Sequence, residues 1–431
     1  MSGKVIGVGM IGLGTVGQGV YRILTSNCAE IKRKVNAQIE IKKILVRDLT
    51  KDRGMEISPG LLTDDVDSII NNREIDLVVE VMGGVEEAYT YALAALKQGK
   101  SLITANKDML ALHGKELFAA AETGKADVLF EASVGGGIPI IRPMKESLAT
   151  NRVEQIMGII NGTTNYMLTR MTEEGMDFAQ VLKEAQDLGY AEADPAADVE
   201  GYDAARKLTI LSSIGFNSRV PLDQVYVEGI TKVTAEDIAY ADELNYVIKL
   251  LGIAKDTGQG IEVRVHPTML PKHHPLASVN DVYNAVFVRG DAVGDVMFYG
   301  RGAGSLPTAS AVTADIMAAA KNILRNTQGI MGCTCYYEKP VKPMGDTLSK
   351  YYVRLKAVDK PGVLAEISLI FGKNAVSLAS VIQKQTDGET AQIVLVTHEV
   401  LEQNMQNALA EIKDLPIVSD VSSMIRAEGP D

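Results

Sequence analysis

Apolar positions along the chain fall into short continuous runs separated by stretches with helical spacing. Residues 5–11 form an apolar run that exits into glycines, and 17–34 has helical periodicity. Residues 39–46 read as a strand, and 77–81 is a continuous apolar run with an acidic, glycine-rich exit. Helical spacing returns over 86–98 and stops at Gly99. A short strand at 101–104, a helix from about 108 to 122 and a strand at 128–132 complete this first region. Alternation of apolar strands with helices predicts an α/β fold with a parallel, doubly wound sheet.

The middle of the chain, 139–307, mixes longer helices (178–188, 204–214) with extended segments (261–266, 282–288). An Ala-rich helix at 308–325 is expected to pack back on the first region. Residues 338–346, EKPVKPMGD, hold two prolines, a glycine and several charges, so they read as a linker. The pattern then restarts: strand 351–358, helix 362–373, strands 376–385 and 391–398, helix 401–413, strand 418–425. That β-α-β-β-α-β order is ferredoxin-like and reads as a separate module. The expected division is a Rossmann-type dinucleotide-binding domain at 1–138 completed by 308–330, and a catalytic, substrate and dimerisation domain at 139–307. A linker at 338–349 and a module at 350–427 follow.

Composition narrows the function classes. The 431 residues are 46% apolar and 23% charged, as in ordinary globular proteins. With 43 basic against 55 acidic residues the net charge is −12. Such a surface repels phosphate backbones, which argues against a general nucleic-acid binder. No run approaches the ~18 apolar residues of a membrane helix. Three cysteines, Cys28, Cys333 and Cys335, are too few and too odd in number for a disulfide framework. Cys333 and Cys335 form C-x-C with no neighbouring His or Cys to complete a zinc site. They read as thiols of a cytoplasmic protein.

The first chemical signal is Gly12-Leu13-Gly14-Thr15-Val16-Gly17, a G-x-G-x-x-G after an expected strand and opening a helix. The first glycine permits the tight turn, the second admits a pyrophosphate to the backbone, and the third lets helix pack on strand. The helix N-terminus then offers amide donors to phosphate. At the end of the second strand stand Arg47, Asp48 and Lys51. Arg47 suits a 2′-phosphate and Asp48 a 2′-hydroxyl. The balance favours NADP, with NAD as the alternative.

The second signal lies in 185–207, AQDLGYAEADPAADVEGYDAARK, where Glu192, Asp194, Asp198, Glu200 and Asp203 crowd together. Asp203 and Lys207 are four apart on an expected helix and so share a face. A solvated acidic face with a surface ion pair is the plain alternative. His113, His273 and His274 lack the partners that would make a catalytic or metal site.

This segment resembles the signature of homoserine dehydrogenases. Thr104-Ala-Asn-Lys107, Glu131-Ala-Ser-Val-Gly-Gly-Gly-Ile-Pro139, Asn161-Gly-Thr-Thr-Asn-Tyr166 and Gly300-Arg-Gly-Ala-Gly-Ser-Leu-Pro-Thr308 resemble further motifs of that family. The resemblance spans about 5–325. It implies reversible reduction of L-aspartate 4-semialdehyde to L-homoserine by a nicotinamide cofactor, on the route to threonine, methionine and isoleucine. Hydride goes to the aldehyde carbon and the carbonyl oxygen gains a proton from an acid within reach. By the same resemblance Lys207 is the proton donor and Lys107 a second anchor near cofactor and substrate. A lysine holds its proton to about pH 10.4 in water, and burial or a second cation lowers that value. Glu192 and Asp203 are implied partners of the substrate's ammonium, and 161–166 shapes its pocket. Thr104, Gly189 and Gly302 are implied to approach the cofactor. A monovalent cation, sodium in this family, is implied at Glu131, Val134, Gly136 and Ile138. Oxygen ligands suit such an ion, although the segment also fits a plain interdomain hinge.

The last module resembles an ACT domain, through Asp359-Lys-Pro-Gly-Val-Leu-Ala-Glu-Ile367 and GKNAVS at 372–377. The implied effector is L-threonine, with Asp359, Gly362 and Asn374 as ligand-site residues. A packing module that binds nothing is the alternative. Unpaired sheet edges imply a homodimer or homotetramer. No aspartate-kinase segment is expected upstream, because the glycine-rich region starts near residue 7. The competing functions are an enzyme acting on a different amino-acid aldehyde or hydroxy acid, and a non-catalytic amino-acid sensor. Retention of both lysines and both carboxylates disfavours the sensor.

Overall fold

The computed structural model describes residues 4–329, 332–385 and 389–429. The first region forms a six-stranded parallel sheet of β1 (Val5–Ile11), β2 (Gln38–Leu45), β3 (Leu62–Thr63), β4 (Leu77–Glu80), β5 (Ser101–Thr104) and β6 (Val128–Leu129). Its order is β3-β2-β1-β4-β5-β6. Strand order reverses between β1 and β4, and that switch point opens the crevice where such sheets take dinucleotides. The strands are apolar throughout because both faces are covered; Ile6, Val8, Met10 and Ile11 are fully buried. The covering helices are α1 (Thr15–Ser26), α2 (Cys28–Val35), α3 (Asp67–Ile70), α4 (Glu86–Lys97) and α5 (Lys107–Gly124). The single helix expected over 17–34 is two, because the backbone breaks at Asn27 (φ −105°, ψ 14°). The strand expected to reach 132 ends at Leu129, and Glu131–Ser133 makes a 3-10 turn instead.

The middle region adds β7 (Val153–Ile159), β8 (Tyr226–Val227), β9 (Tyr246–Asp256), β10 (Ile261–Pro271), β11 (Tyr283–Gly290) and β12 (Gly294–Arg301). They run β12-β11-β7-β9-β10 with antiparallel neighbours, and β8 lies parallel to β10. Its helices are α6 (Gly162–Glu174), α7 (Phe178–Asp187), α8 (Ala196–Val199), α9 (Tyr202–Gly215), α10 (Ala235–Glu243) and α11 (Ser305–Arg325). α11 returns to the first sheet and lies on α1. The approach is so close that a Cβ at Gly19 would sit 2.7 Å from Ala309 Cβ. At its start Ser305 Oγ donates to the Thr15 carbonyl at 2.8 Å.

The C-terminal region holds β13 (Leu348–Val358), α12 (Val363–Lys373), β14 (Leu378–Gln385), β15 (Thr390–Thr397), β16 (Val400–Leu401), α13 (Glu402–Lys413) and β17 (Val418–Ala427). The order β17-β13-β15-β14 is ferredoxin-like. It is not a detached module. β17 runs parallel beside β10, with Thr268 opposite Arg426 and Met269 opposite Ala427, so the two regions share one eleven-stranded sheet. Arg426 is 1% exposed. Its guanidinium donates to Glu402 at 2.7 and 2.8 Å and to Glu228 at 2.8 Å. Arg354 Nε donates to buried Asp237 of α10 at 2.8 Å. Burial of these charges is tolerable because each is paired and hydrogen-bonded.

The expected linker is a fastened strap. Ile261 N–H donates to the Pro340 carbonyl at 2.8 Å, and Lys342 N–H to the Ile261 carbonyl at 2.9 Å. Lys339 also pairs with Asp256 at 2.7 Å. Prolines cannot donate to a ladder but still offer carbonyls to a neighbouring strand. Among the described residues no helix is long and apolar enough to cross a membrane.

Candidate active site

The glycine turn sits at the C-terminal end of β1. Gly12 has φ +102°, and a Cβ there would stand 2.7 Å from Met82 Cα. A Cβ at Gly17 would meet the Gly12 carbonyl oxygen at 2.6 Å, whereas one at Gly14 would meet nothing within 4 Å. The turn is therefore closed on the protein side and open on the cleft side. Gly14 caps α1 without a side-chain acceptor, so the first-turn amides of Thr15, Val16 and Gly17 remain oriented toward the cleft for an anion.

Arg47, Asp48 and Lys51 line this cleft, joined by Arg53, which the sequence reading did not single out. The Asp48 carboxylate accepts from Thr50 N–H at 2.8 Å, Thr50 Oγ at 2.7 Å and Lys51 N–H at 3.2 Å. Those bonds, the Thr50 hydroxyl's first, hold its carboxyl below the usual range. Asp48 is thus committed to its own loop, and Arg53 clasps the same loop through the Asp48 and Lys51 carbonyls. Arg47 is exposed and leans on Glu87 at 3.0 Å. Arg47, Lys51 and Arg53 share this end with Asp48, Asp64 and Glu87, and Asp48 and Glu87 are already engaged, which leaves room there for a phosphate.

Thr104 is placed differently from the expectation. It is fully buried, its hydroxyl donating to Glu80 at 2.6 Å and accepting from Asn106 N–H at 3.0 Å. Burial pushes the Glu80 carboxyl up. Thr104 therefore braces the ends of β4 and β5 rather than facing a ligand.

A second cavity lies between the two large sheets, lined by Lys107, Asn161, Asp198, Asp203, Lys207 and Gly302 among others. Lys107 is the first residue of α5, where the helix dipole disfavours a cation. Carboxylates compensate it: Asp203 at 3.4 Å and Asp108 at 3.7 Å. Asp108 in turn binds Arg206 of α9 at 2.7 Å. The N-terminal turns of α5 and α9 are thereby joined across the cavity floor.

Asp203 and Lys207 share one face of α9, as the spacing required. Lys207 Nζ donates to Asp203 Oδ2 at 2.6 Å and to the Ile160 carbonyl at 2.8 Å. Asn161 Nδ2 donates to both Asp203, at 2.9 Å, and Asp198, at 2.6 Å. Its Oδ1 meanwhile caps α6 through Thr164 N–H at 2.8 Å. Burial alone would push the Asp203 carboxyl up. Lys207, Lys107 and Asn161 outweigh it and hold the group at about 2. Asp198 goes the other way, raised first by burial and then by Asp203. Asp198 belonged to the acidic run but had no assigned role. Its place on the wall follows from the short α8, which periodicity cannot distinguish from a loop.

Gly189 and Gly302 line the same cavity. Gly136 presses on Gly302: a Cβ at Gly136 (φ +53°) would stand 2.3 Å from the Gly302 carbonyl oxygen. Glu192 is not on this wall; it is exposed on the loop after α7. Glu131 also departs from the expectation of a cation-binding carboxylate. Its carboxylate accepts from Ile140, Ile141 and Arg142 N–H at 2.6, 2.7 and 2.9 Å. It therefore caps the helical segment that starts there. Val134 and Ile138 are buried beside it, and any cation in this segment has backbone carbonyls to bind rather than this carboxylate. Among the described residues no cluster of three His, Cys, Asp or Glu side chains could hold a metal.

In the C-terminal region, Asp359 accepts from Gln383 at 3.1 Å and Gly362 (φ +96°) opens α12. Asn374 closes the same helix, its amide on Ile370 O and Glu411. Twelve residues at 1.5 Å each put Gly362 and Asn374 roughly 18 Å apart. One amino acid cannot touch both within a single chain.

Comparison with known proteins agrees with this geometry. Residues 139–317 match the family model described as homoserine dehydrogenase, and 12–131 match its NAD-binding domain. Residues 351–417 match the ACT domain. A homoserine dehydrogenase of Bacillus subtilis is 45% identical over 428 residues, covering 99% of each chain. A crystal structure of a homoserine dehydrogenase from Thiobacillus denitrificans superposes with a TM-score of 0.94 at 44% identity, covering 99% of each chain. A hyperthermophilic archaeal homoserine dehydrogenase, solved in complex with NADPH, matches 73% of this chain and 97% of its own, at TM-score 0.63 and 26% identity.

Proposed function

This chain belongs to the homoserine dehydrogenase family, an oxidoreductase with a nicotinamide-binding domain and a C-terminal ACT domain, and from that premise we propose that it reduces L-aspartate 4-semialdehyde with NADPH in preference to NADH. The observation that carries this reading is the Lys107–Asp203–Lys207 cluster on the floor of the cavity beside Gly302.

When bound, the nicotinamide supplies the hydride to the aldehyde carbon. Gly12 to Gly17 seat the pyrophosphate, and Arg47, Lys51 and Arg53 neutralise the 2′-phosphate, with Asp48 already committed to its loop. Lys207 has three N–H donors. Asp203 and the Ile160 carbonyl take two, leaving one for the substrate's carbonyl oxygen. As that oxygen gains charge, Lys207 gives it a proton, and Lys107 stands opposite to stabilise the forming alkoxide. Asp203 holds both lysines and in doing so spends most of its capacity as an acceptor. The carboxylate on the wall bonded to an amide rather than to a lysine is Asp198, so Asp198 takes the substrate's α-ammonium. Glu192 joins it when the loop after α7 closes.

The cation, sodium by the family resemblance, would rest on carbonyls of the Val134, Gly136 and Ile138 segment. Both ends of the eleven-stranded sheet present open edges, β12 and β14. Met297 and Tyr299 on β12 are 40% and 54% exposed. An apolar open edge invites strand pairing, so the protein is an oligomer of two or four copies. L-Threonine then binds between copies, with the Asp359–Gly362 turn from one and Asn374 from another. The test of the reading is oxidation of NADPH and NADH with L-aspartate 4-semialdehyde. Aldehyde-dependent oxidation favouring NADPH is expected; oxidation of neither, by folded protein that binds NADPH, would assign the site a different aldehyde.

A further inference from the structure

Behind the catalytic helices lies a second polar cluster that hydride transfer does not use. α5 and α9 line a small pocket through Leu110, Gly114, Thr209 and Ser213, and Cys333, Thr334 and Cys335, just ahead of the strap, line it too. Both cysteines also line an open cleft beside Phe118 and Tyr336, so small solutes reach them from solvent. Cys335 Sγ donates to the Ser213 carbonyl at 3.8 Å, which keeps its proton engaged. The two cysteines, two residues apart, line one small pocket together with Arg219 and Lys145. Arg219 Nη2 donates to Cys333 Sγ at 3.4 Å.

Lys145 is the second cation. It sits over the Phe118 and Phe130 rings at 5.5 and 5.6 Å and donates to the Gly332 carbonyl at 2.9 Å. Its neighbouring carboxylates, Asp127 and Glu146, act on it only at a distance. Its burial lowers its own pKa, and the charge it carries is stabilised by an anion nearby. A guanidinium thus touches the Cys333 sulfur and an ammonium shares its pocket, an electropositive setting that favours thiolate over thiol.

We propose that Cys333 and Cys335 form a peroxide-reactive dithiol, with Cys333 as the attacking thiolate and Cys335 as the resolving thiol. The Cys333 sulfur attacks one peroxide oxygen; the S–O bond forms as the O–O bond breaks, and hydroxide leaves to take a proton from solvent. Cys335 sulfur then attacks the sulfenic acid. The S–S bond forms, the S–O bond breaks, and the hydroxyl leaves as water with the Cys335 proton. Two electrons pass from the two thiols to peroxide, and a dithiol reductant reverses the change. The titration of the pair supports the assignment of roles. Neighbouring Cys335 comes first, with Arg219 and Lys145 behind it, in drawing Cys333 well below an ordinary thiol, while Cys335 is driven up.

The third cysteine supplies the control. Cys28 is exposed at the start of α2, remote in sequence from the other two. The experiment is a pulse of iodoacetamide on the native full-length protein at pH 6.5, read peptide by peptide by mass spectrometry. The proposal expects Cys333 to alkylate at least tenfold faster than Cys28, with fragmentation of the shared peptide telling Cys333 from Cys335, and stoichiometric hydrogen peroxide to remove 2 Da from that one peptide. In Cys335→Ser the same peroxide is expected to leave a dimedone-trapped sulfenic acid on Cys333. Alkylation of Cys333 no faster than Cys28 overturns it, as does peroxide that oxidises Cys28 first. Because the wild-type rates decide the matter, a variant that fails to fold does not.

Discussion

Asp203→Asn isolates the part of the site on which the proposed chemistry depends. The substitution keeps shape and removes one charge from between two lysines. A buried aspartate held at about 2 instead of the usual 3.8 has its ionised form favoured by roughly 2–3 kcal/mol, at 1.36 kcal/mol for each tenfold. The side chains of Asp203 and Lys207 are only 12% and 13% exposed, so solvent screens little of this. The folded-state value is depressed. Its stabilisation is therefore fully present above about pH 4 and is lost as pH falls through the folded value near 2. At neutral pH the Asn variant lacks all of it. If that energy serves to hold Lys207 on the carbonyl oxygen, kcat falls on the order of 30- to 150-fold. The assay is steady-state NADPH oxidation with L-aspartate 4-semialdehyde at pH 7. The thermal midpoint and the NADPH dissociation constant serve as controls. A folded Asn variant that binds NADPH normally and turns over within threefold of the parent would refute the reasoning.

Three further outcomes follow from other parts of the structure. Arg47→Ala should weaken kcat/KM with NADPH about tenfold and leave NADH within twofold, since the proposed contact of Arg47 with the cofactor is the 2′-phosphate; equal losses with both cofactors would remove it from that role. Gly362→Val puts a β-branched residue at φ +96°, which should abolish the threonine response while basal turnover stays within twofold; retained threonine sensitivity would place the effector elsewhere. Arg426→Ala leaves buried Glu402 without its counter-ion and half-buried Glu228 without one as well, costing about 3–5 kcal/mol; an unchanged thermal midpoint would show that the network carries no stability.

Elements with one clear periodicity were legible in the sequence. β1, its glycine turn and α1 could be read because each carries its own local signal. So could the Asp203–Lys207 pair, because helical spacing alone brings the two side chains together. What could not be read depends on contacts between distant segments. β17 joins β10 through Arg426 and Ala427, and no local pattern announces a buried arginine whose acid partners stand 24 and 198 residues away. The strap at 338–346 carries linker composition yet lies along β10, because proline carbonyls accept hydrogen bonds as well as any others. Glu131 and Thr104 sit in family motifs, and motifs name residues without saying which way they face. Their bonds to amides and to Glu80 belong to the tertiary structure. Asp198 lay in plain view among five acids. Only the turn of α8 and the reach of Asn161 separate it from its exposed neighbours.

The central claim is that Lys207 gives the proton. The most direct test is single-turnover oxidation of NADPH by L-aspartate 4-semialdehyde in wild type and Lys207→Ala, with NADPH affinity measured alongside. The account predicts a loss of roughly 100- to 10,000-fold in the chemical step, with NADPH affinity within twofold. A variant that binds NADPH and reduces the aldehyde at near-wild-type rate would contradict it and pass the role to Lys107.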